Sequence, residues 1–462
     1  MKRFAPVLLA LALPACSMAP KYARPTAPVP SSWPVGDAYP AQDEATVPAV
    51  SYREIFRDPR LQALVEQALA GNRDLRVAAA NIAAARAQVR VQRAAQFPEI
   101  AATASARRDS GANGPASRGY ALDAGISAFE LDLFGRLASA TEAERQRALG
   151  TEAAARTVRL GLVADLATAW ASHAADAELL RIAQDTAASA RRSVELTRAR
   201  LDGGVAPRTD LRQAEQILAT AEADVAAQTT ALAQDRNLVQ LLVGGPFDAA
   251  LLPDRLDDVV ASIAVLPAGT GSSVLLRRPD VIEAEYALRA ANADIGVARA
   301  ELFPRITLTG LAGFASDALS ALFDSGAFHT TVAGGASQAI FSGGGARAAV
   351  AVSQAQRDAA LAAYERAIQT AFREVADALA RQGTIADERR ASALRLAATA
   401  DTARLTEARY RGGVDSYLQN LDAQRSLYAA RQRDAAVRLA QVVNRVALYR
   451  ALGGDQASGG GE

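Results

Sequence analysis

Few residues in this sequence could do covalent chemistry. There is one cysteine, Cys16, there are two histidines, His173 and His329, and lysine occurs only at Lys2 and Lys21. A zinc or thiol site lacks ligands on such an inventory, and a Gly-Lys-Ser/Thr phosphate loop needs a lysine that the body of the chain does not have. No cofactor and no metal are expected, and the chain reads as a non-enzyme. Cys16 is the exception. It closes Leu13-Pro14-Ala15-Cys16, behind a positive start at Lys2 and Arg3 and an apolar run from Phe4 to Leu13. That is a secretory signal, too short to cross a membrane as a helix. A small residue before a lone cysteine fits a lipobox, where the thiol is diacylated and the cysteine becomes the mature N-terminus. Ser17 fits outer-membrane sorting. The alternative is an ordinary cleaved signal with an incidental cysteine. An exported chain without disulfides is held by its core alone.

The charges balance, with 51 Lys+Arg against 50 Asp+Glu, and both signs mix along the same segments. Nucleic-acid binders gather basic residues on one face. Here the charges read as solvated helix faces, and no nucleic-acid partner is expected. Beyond Leu13 no stretch reaches the roughly 18 to 20 apolar residues of a spanning helix, so any membrane crossing must use strands.

The elements that would carry function come in two copies. Gly203-Gly204-Val205 and Gly412-Gly413-Val414 open matching segments that close at Gly244-Gly245 and Gly453-Gly454. Ala214 falls over Ala423, Leu218 over Leu427 and Arg236 over Arg445. Upstream, Phe97-Pro98 recurs as Phe303-Pro304, and Leu133-Phe134-Gly135 as Ile340-Phe341-Ser342. A period of roughly two hundred residues excludes short-repeat solenoids and points to pseudo-symmetry within one protomer. Prolines 20, 25, 28, 30, 34, 40 and 48 keep the segment before the first copy extended. Asp58 and Pro59 then start a helix that Gly71 ends.

Arg136 to Leu201 and Ala346 to Arg411 carry no proline, so each can run as a helix of roughly 100 Å. Gly150, Gly161 and Gly383 are places where such helices could break. After each Gly-Gly turn comes a sevenfold apolar repeat, Leu211, Leu218, Val225, Leu232 and Val239 in the first copy and Leu421, Tyr428, Ala435, Val442 and Tyr449 in the second. That is a coiled-coil seam. Glycine at 203, 204, 412 and 413 supplies the left-handed backbone that a sharp reversal needs. His173 reads as an incidental surface residue.

Four segments alternate with the period of a strand: Ile100 to Ala106, Tyr120 to Ile126, Ile306 to Phe314, and Phe328 to Gln338, the last more weakly around His329, Val332 and Gly334. Their lengths approach the about 9 to 11 residues of a tilted membrane strand, apolar toward lipid and polar toward a lumen. Two ordinary hairpins packed on helices are the alternative. Four strands cannot close a useful barrel, so spanning strands imply an oligomer.

Phe129-Glu130-Leu131-Asp132-Leu133-Phe134-Gly135-Arg136, Leu276-Arg277-Arg278-Pro279-Asp280-Val281, Ala291-Asn292-Ala293-Asp294-Ile295-Gly296-Val297-Ala298, Ala339-Ile340-Phe341-Ser342-Gly343-Gly344 and Tyr449-Arg450-Ala451-Leu452-Gly453-Gly454 together resemble the outer membrane factor (TolC-like) family. The lipobox places the resemblance in its NodT-type lipoprotein branch, which serves RND-family pumps. The resemblance implies an α+β membrane protein: a homotrimer with four strands per protomer in one transmembrane β-barrel, joined to a long α-helical periplasmic barrel, with a two-fold internal repeat. It implies a passive exit duct for drugs, metals or other small compounds. The partners implied are a periplasmic adaptor (membrane fusion) protein, an inner-membrane RND transporter and outer-membrane lipid. A type I secretion duct and a periplasmic coiled-coil lipoprotein scaffold are the alternatives.

The expected division is a signal at 1–15, an extended tail at 16–50, a first repeat at 51–255 with its hairpin at 98–129, a second at 256–454 with its hairpin at 304–340, and a Gly-rich tail at 455–462. The resemblance implies that 247–273, across the junction of the two repeats, joins an equatorial belt. Matching to the family puts an apolar ring at Leu418 and an acidic ring at Asp422, one helical turn apart at the narrow end. Arg411 matches a charged latch between helices, and the turns at Gly203, Gly204, Gly412 and Gly413 become the tips that meet the adaptor. An ordinary solvated charge is the alternative for both Asp422 and Arg411.

Overall fold

The computed structural model describes residues 17–40, 51–109, 117–266 and 271–454, so the signal, Cys16 and the Gly-rich tail lie outside the described residues. Helices start where capping chemistry directs. Ser51 and Glu54 form a capping box around α1 (Tyr52–Ile55). Asp58 accepts the Arg60 N–H at 2.8 Å ahead of Pro59, and α2 (Pro59–Gly71) ends at Asn72. α3 (Arg73–Ala94) leads to β1 (Ile100–Asp109) and β2 (Ser117–Leu131), then to α4 (Arg136–Asp202) and α5 (Arg208–Val243). After the short α6 (Leu256–Ser262), the second copy follows the same order: α7 (Pro279–Ala300), β3 (Arg305–Ser316), β4 (Phe328–Ser337), α8 (Gly345–Arg411) and α9 (Tyr417–Ala451). α4 and α8 are 67 residues each and unbroken through Gly150, Gly161 and Gly383. The chain divides into two compact units, one of residues up to Ala27, Ala79–Ala154 and Ile282–Ala367, the other of Pro28–Ala78, Ala155–Val281 and the rest from Ile368.

The first unit holds one antiparallel sheet in the order β1-β2-β3-β4. Its register puts Ala104, Leu122 and Phe314 in one row and Ile126, Gly310 and Val332 in another, so the large apolar residues of the four strands, Leu311 excepted, share a face. Thr103, Asp123, Thr307, Thr309, His329 and Thr331 take the other. His329 is therefore on the face opposite Val332 and Gly334. β2 outruns the alternating segment because a bulge between Ile126 and Phe129 absorbs an extra residue and returns Phe129 and Leu131 to the apolar face. Ala128 takes φ 53° there, and its N–H donates to Thr309 Oγ1 at 3.1 Å. β1 and β4 are exposed at nearly every position.

Below the sheet, Glu130 accepts both arms of Arg136 at 2.7 and 2.8 Å and lies 3.2 Å from Arg305, while Phe134 stacks on Phe303 with centroids 4.6 Å apart. Residues 18 to 24 run extended along α7 in the reverse direction. Met18 O accepts from Arg299 and Pro20 O from Asn292, and Tyr22 and Arg24 both reach the buried Glu285. Gly296 lets this strap approach, since a side chain there would meet Ala19 and Ser139.

In the second unit, Trp170, Phe56, Leu61, Leu64, Leu166, Leu256, Ile263 and Tyr449 form a fully buried core. Phe56 meets Tyr449 edge-on at 5.1 Å and bridges to Ile263, and the Trp170 indole N–H donates to Leu251 O at 2.9 Å. Arg445 donates to the carbonyls of Val260 and Ile263. Trp33, 2% exposed, lies 5.1 Å from Phe372. Gly383 is a contact rather than a break, because a Cβ there would strike the Ala38 backbone.

His173 is not a surface residue. It is 7% exposed, and its Nδ1 lies 4.0 Å from Asp235 Oδ2 across the α4–α5 pair. Burial, reinforced by the Arg236 charge, pushes its pKa down. Asp235 is pushed up to about 6 by burial first and then by Asp176, whose side chain hydrogen-bonds to it; burial raises Asp176 too. A long helix with neighbours on several sides shows little amphipathic contrast, so this inward face left no periodic trace.

Candidate functional site

The two helical reversals of the second unit are built alike. At the first, the amides of Gly203, Gly204 and Val205 bond to the carbonyls of Ala199, Leu201 and Arg200 at 3.0, 2.9 and 2.9 Å. At the second, Gly412, Gly413 and Val414 bond to Ala408, Tyr410 and Arg409 at 3.0, 3.1 and 2.9 Å. This satisfies the last carbonyls of each long helix. Only the second glycine of each pair is left-handed, Gly204 at φ 73° and Gly413 at φ 76°. Gly203 and Gly412 take ordinary dihedrals, which corrects the expectation that all four supply positive φ. Val205 and Val414 are 77% and 67% exposed at the two tips.

Beneath the tips, Val194, Leu211, Ala214, Tyr410, Tyr417 and Leu421 join the two hairpins in one apolar cluster. The Tyr410 and Tyr417 rings lie 5.4 Å apart, and the Arg200 guanidinium sits 4.4 Å over the Tyr410 ring while donating to Tyr410 O at 3.3 Å. Both tyrosine hydroxyls lack a hydrogen-bond partner among the described residues. Burial, then Tyr410 and Asp210, pushes Tyr417 up to about 12. Arg409 grips Asp415 with two bonds of 2.7 and 2.8 Å, and those hydrogen bonds hold the Asp415 carboxyl below its ordinary range.

Arg411 does not bridge hairpins in this chain. It pairs with Glu407 one turn back on its own helix. Arg200, which matches Arg409 in the repeat, is the arginine near the turns that reaches across, to Tyr410 of the other hairpin. Leu418, 60% exposed, and Asp422, also exposed, share one face of α9, and Asp422 makes no ion pair among the described residues. Sequence reasoning missed Arg200, Tyr410, Asp415 and Tyr417. The signal for the last three is a departure from the repeat: Tyr410 stands where the first copy has Leu201, Asp415 where it has Ala206, and Tyr417 where it has Arg208.

Long paired helices, Gly-Gly tips and a four-stranded sheet with one apolar face define a channel protein of the outer membrane. The profile of the outer membrane efflux protein family matches residues 64–245 and 270–454, and the chain belongs to that family. It is 41% identical over 463 residues to a probable efflux pump outer membrane protein, TtgC of Pseudomonas putida, covering 97% of this chain and 95% of that one. Among solved structures, CusC superposes with a TM-score of 0.84 at 36% identity over 95% of this chain and 100% of that chain. The open state of the MtrE outer membrane channel of Neisseria gonorrhoeae gives 0.83 at 34% identity over 95% and 98%. The α+β channel fold, the outer-membrane location and the efflux role follow from this membership. The sheet is also what a coiled-coil scaffold would lack.

Proposed function

We propose that three copies of this chain form the exit duct of a tripartite efflux pump, a passive channel from a periplasmic adaptor and an inner-membrane RND transporter to the outside. Residues 1–15 are removed as a signal, and acyl chains on Cys16 add an anchor in outer-membrane lipid. The Gly203–Gly204 and Gly412–Gly413 turns are the adaptor's docking tips, and Leu418 and Asp422 ring the periplasmic entrance. The observation that carries this reading is the sheet. All four strands show an apolar face, yet β1 and β4 present unpaired backbone edges, which hydrocarbon does not tolerate. Only further copies can close them.

The internal repeat supports one way of closing them. Phe134 stacks on Phe303 inside one chain, and their repeat equivalents are Phe341 and Phe97, which stand 89% and 59% exposed. Phe341 of one copy then stacks on Phe97 of the next, with β4 pairing to that copy's β1. The test is a Phe97→Cys, Phe341→Cys double variant, oxidised in membranes. Covalent trimers are expected, and each single variant should give none. Absence of cross-linked species from a correctly inserted double variant overturns this closure.

A further inference from the structure

A histidine and an aspartate meet over a glycine on the polar face of the sheet. Asp123 of β2 is opposite Gly313 of β3, and Gly313 is opposite His329 of β4. The middle strand offers no side chain, so the outer two reach each other, with His329 Nε2 3.2 Å from Asp123 Oδ1. A Cβ at Gly313 would strike that same oxygen. Nδ1 of His329 is shielded from solvent and has no hydrogen-bond partner among the described residues.

The other charges facing this side of the sheet are compensated or constant. On β1, Arg107 pairs with Asp109 at 2.8 Å, and the residue opposite Asp123 is the neutral Thr103. At the far end, Glu130 is held by Arg136 and Arg305. β3 brings no titratable group beside Gly313. The strand closing the free edge of β4 is, on the reading above, another β1, whose polar-face charges are again Arg107 and Asp109. Histidine is the side chain that changes charge between about pH 5 and pH 8.

We propose that Asp123 and His329 form a proton-controlled selectivity element in the barrel lumen. With His329 neutral, each copy carries one uncompensated carboxylate beside the lumen, its Oδ1 shielded from solvent, and its field favours cations. With His329 protonated the pair is neutral and that preference falls. The proposal rests on the polar face lining the lumen, as the closed barrel requires. A unit charge about 10 Å from an ion in water changes its local concentration about twofold. Three copies, reduced by salt screening, should change the cation-to-anion permeability ratio at least about twofold.

The experiment uses the full-length assembled protein in planar bilayers under a potassium chloride gradient, reading reversal potentials at about pH 8 and about pH 5.5. The parent should lose at least about half of its cation preference on acidification. His329→Gln should keep the alkaline value at both, and Asp123→Asn should give the low value at about pH 8 and no more cation preference than that at about pH 5.5. Equal pH responses in the parent and His329→Gln overturn the proposal, and the His329 variant alone decides the matter if Asp123→Asn does not assemble. A separate arm checks the lumen assignment: Cys16 is the chain's single cysteine, so Thr331→Cys and Val332→Cys introduce reporters on opposite faces. A water-borne maleimide should label position 331 and spare 332. The reverse pattern would remove the underlying reading rather than the pair.

Discussion

Replacing Asp235 with asparagine tests the α4–α5 seam through its proton. In the parent, burial and Asp176 raise the Asp235 carboxyl to about 6, whereas an unfolded aspartate titrates near 3.9. The proton held between the two carboxyls thus contributes stability that is fully present below about pH 4 and lost as pH rises through about 6. Above that, two carboxylates face each other while neighbouring His173, its pKa lowered by burial, carries no compensating charge. A difference of about 2 units is about 3 kcal/mol, and asparagine keeps a donor toward Asp176 at every pH. The variant should gain about 2 kcal/mol over the parent at pH 8 and nothing at pH 4. The assay is hydrogen exchange at amides of α4 around Asp176 and of α5 around Asp235, corrected for intrinsic rates. Protection at pH 8 should rise about 30-fold in the variant, since exchange reports the free energy of local opening. An equal gain at both pH values, or weaker protection at pH 8, would refute the shared-proton reasoning.

Gly413→Ala should weaken the second tip by about 1 to 2 kcal/mol because φ 76° is forced there, while Gly412→Ala should cost far less; exchange protection of the last turn of α8 checks both. Leu418→Gly should raise single-channel conductance in bilayers, and Asp422→Ala should chiefly reduce cation preference. Unchanged conductance and ion preference in assembled trimers of both variants would place the constriction elsewhere.

Much of the fold was legible because local chemistry and tertiary demand coincide. Asp58-Pro59 could only open a helix, and Ile306 to Phe314 could only alternate. What stayed hidden depends on neighbours remote in sequence. β2 seemed to end near Ile126 because the bulge at Ser127 and Ala128 resets its parity, and no glycine marks the positive φ. Gly383 looked like a weak point, yet its missing side chain serves the Ala38 backbone. At the tips the glycines were readable, but the aromatic lock was not, since Arg200 and Tyr410 come from different repeats. Arg411 matches a charged latch in the family, yet in this chain Arg409 makes the bidentate pair at the turn.

The two open sheet edges also bear on how the channel comes into being. A lone chain cannot settle in hydrocarbon with those backbone groups bare, so association must precede or accompany insertion. On the three-copy closure proposed above, the kinetics of assembly would follow the encounter of three molecules, and halving the supply of chain would slow the appearance of finished channels about eightfold if that encounter limits the rate. Modest changes in synthesis or export would become large changes in the number of open exits, a form of dosage control that needs no dedicated regulator.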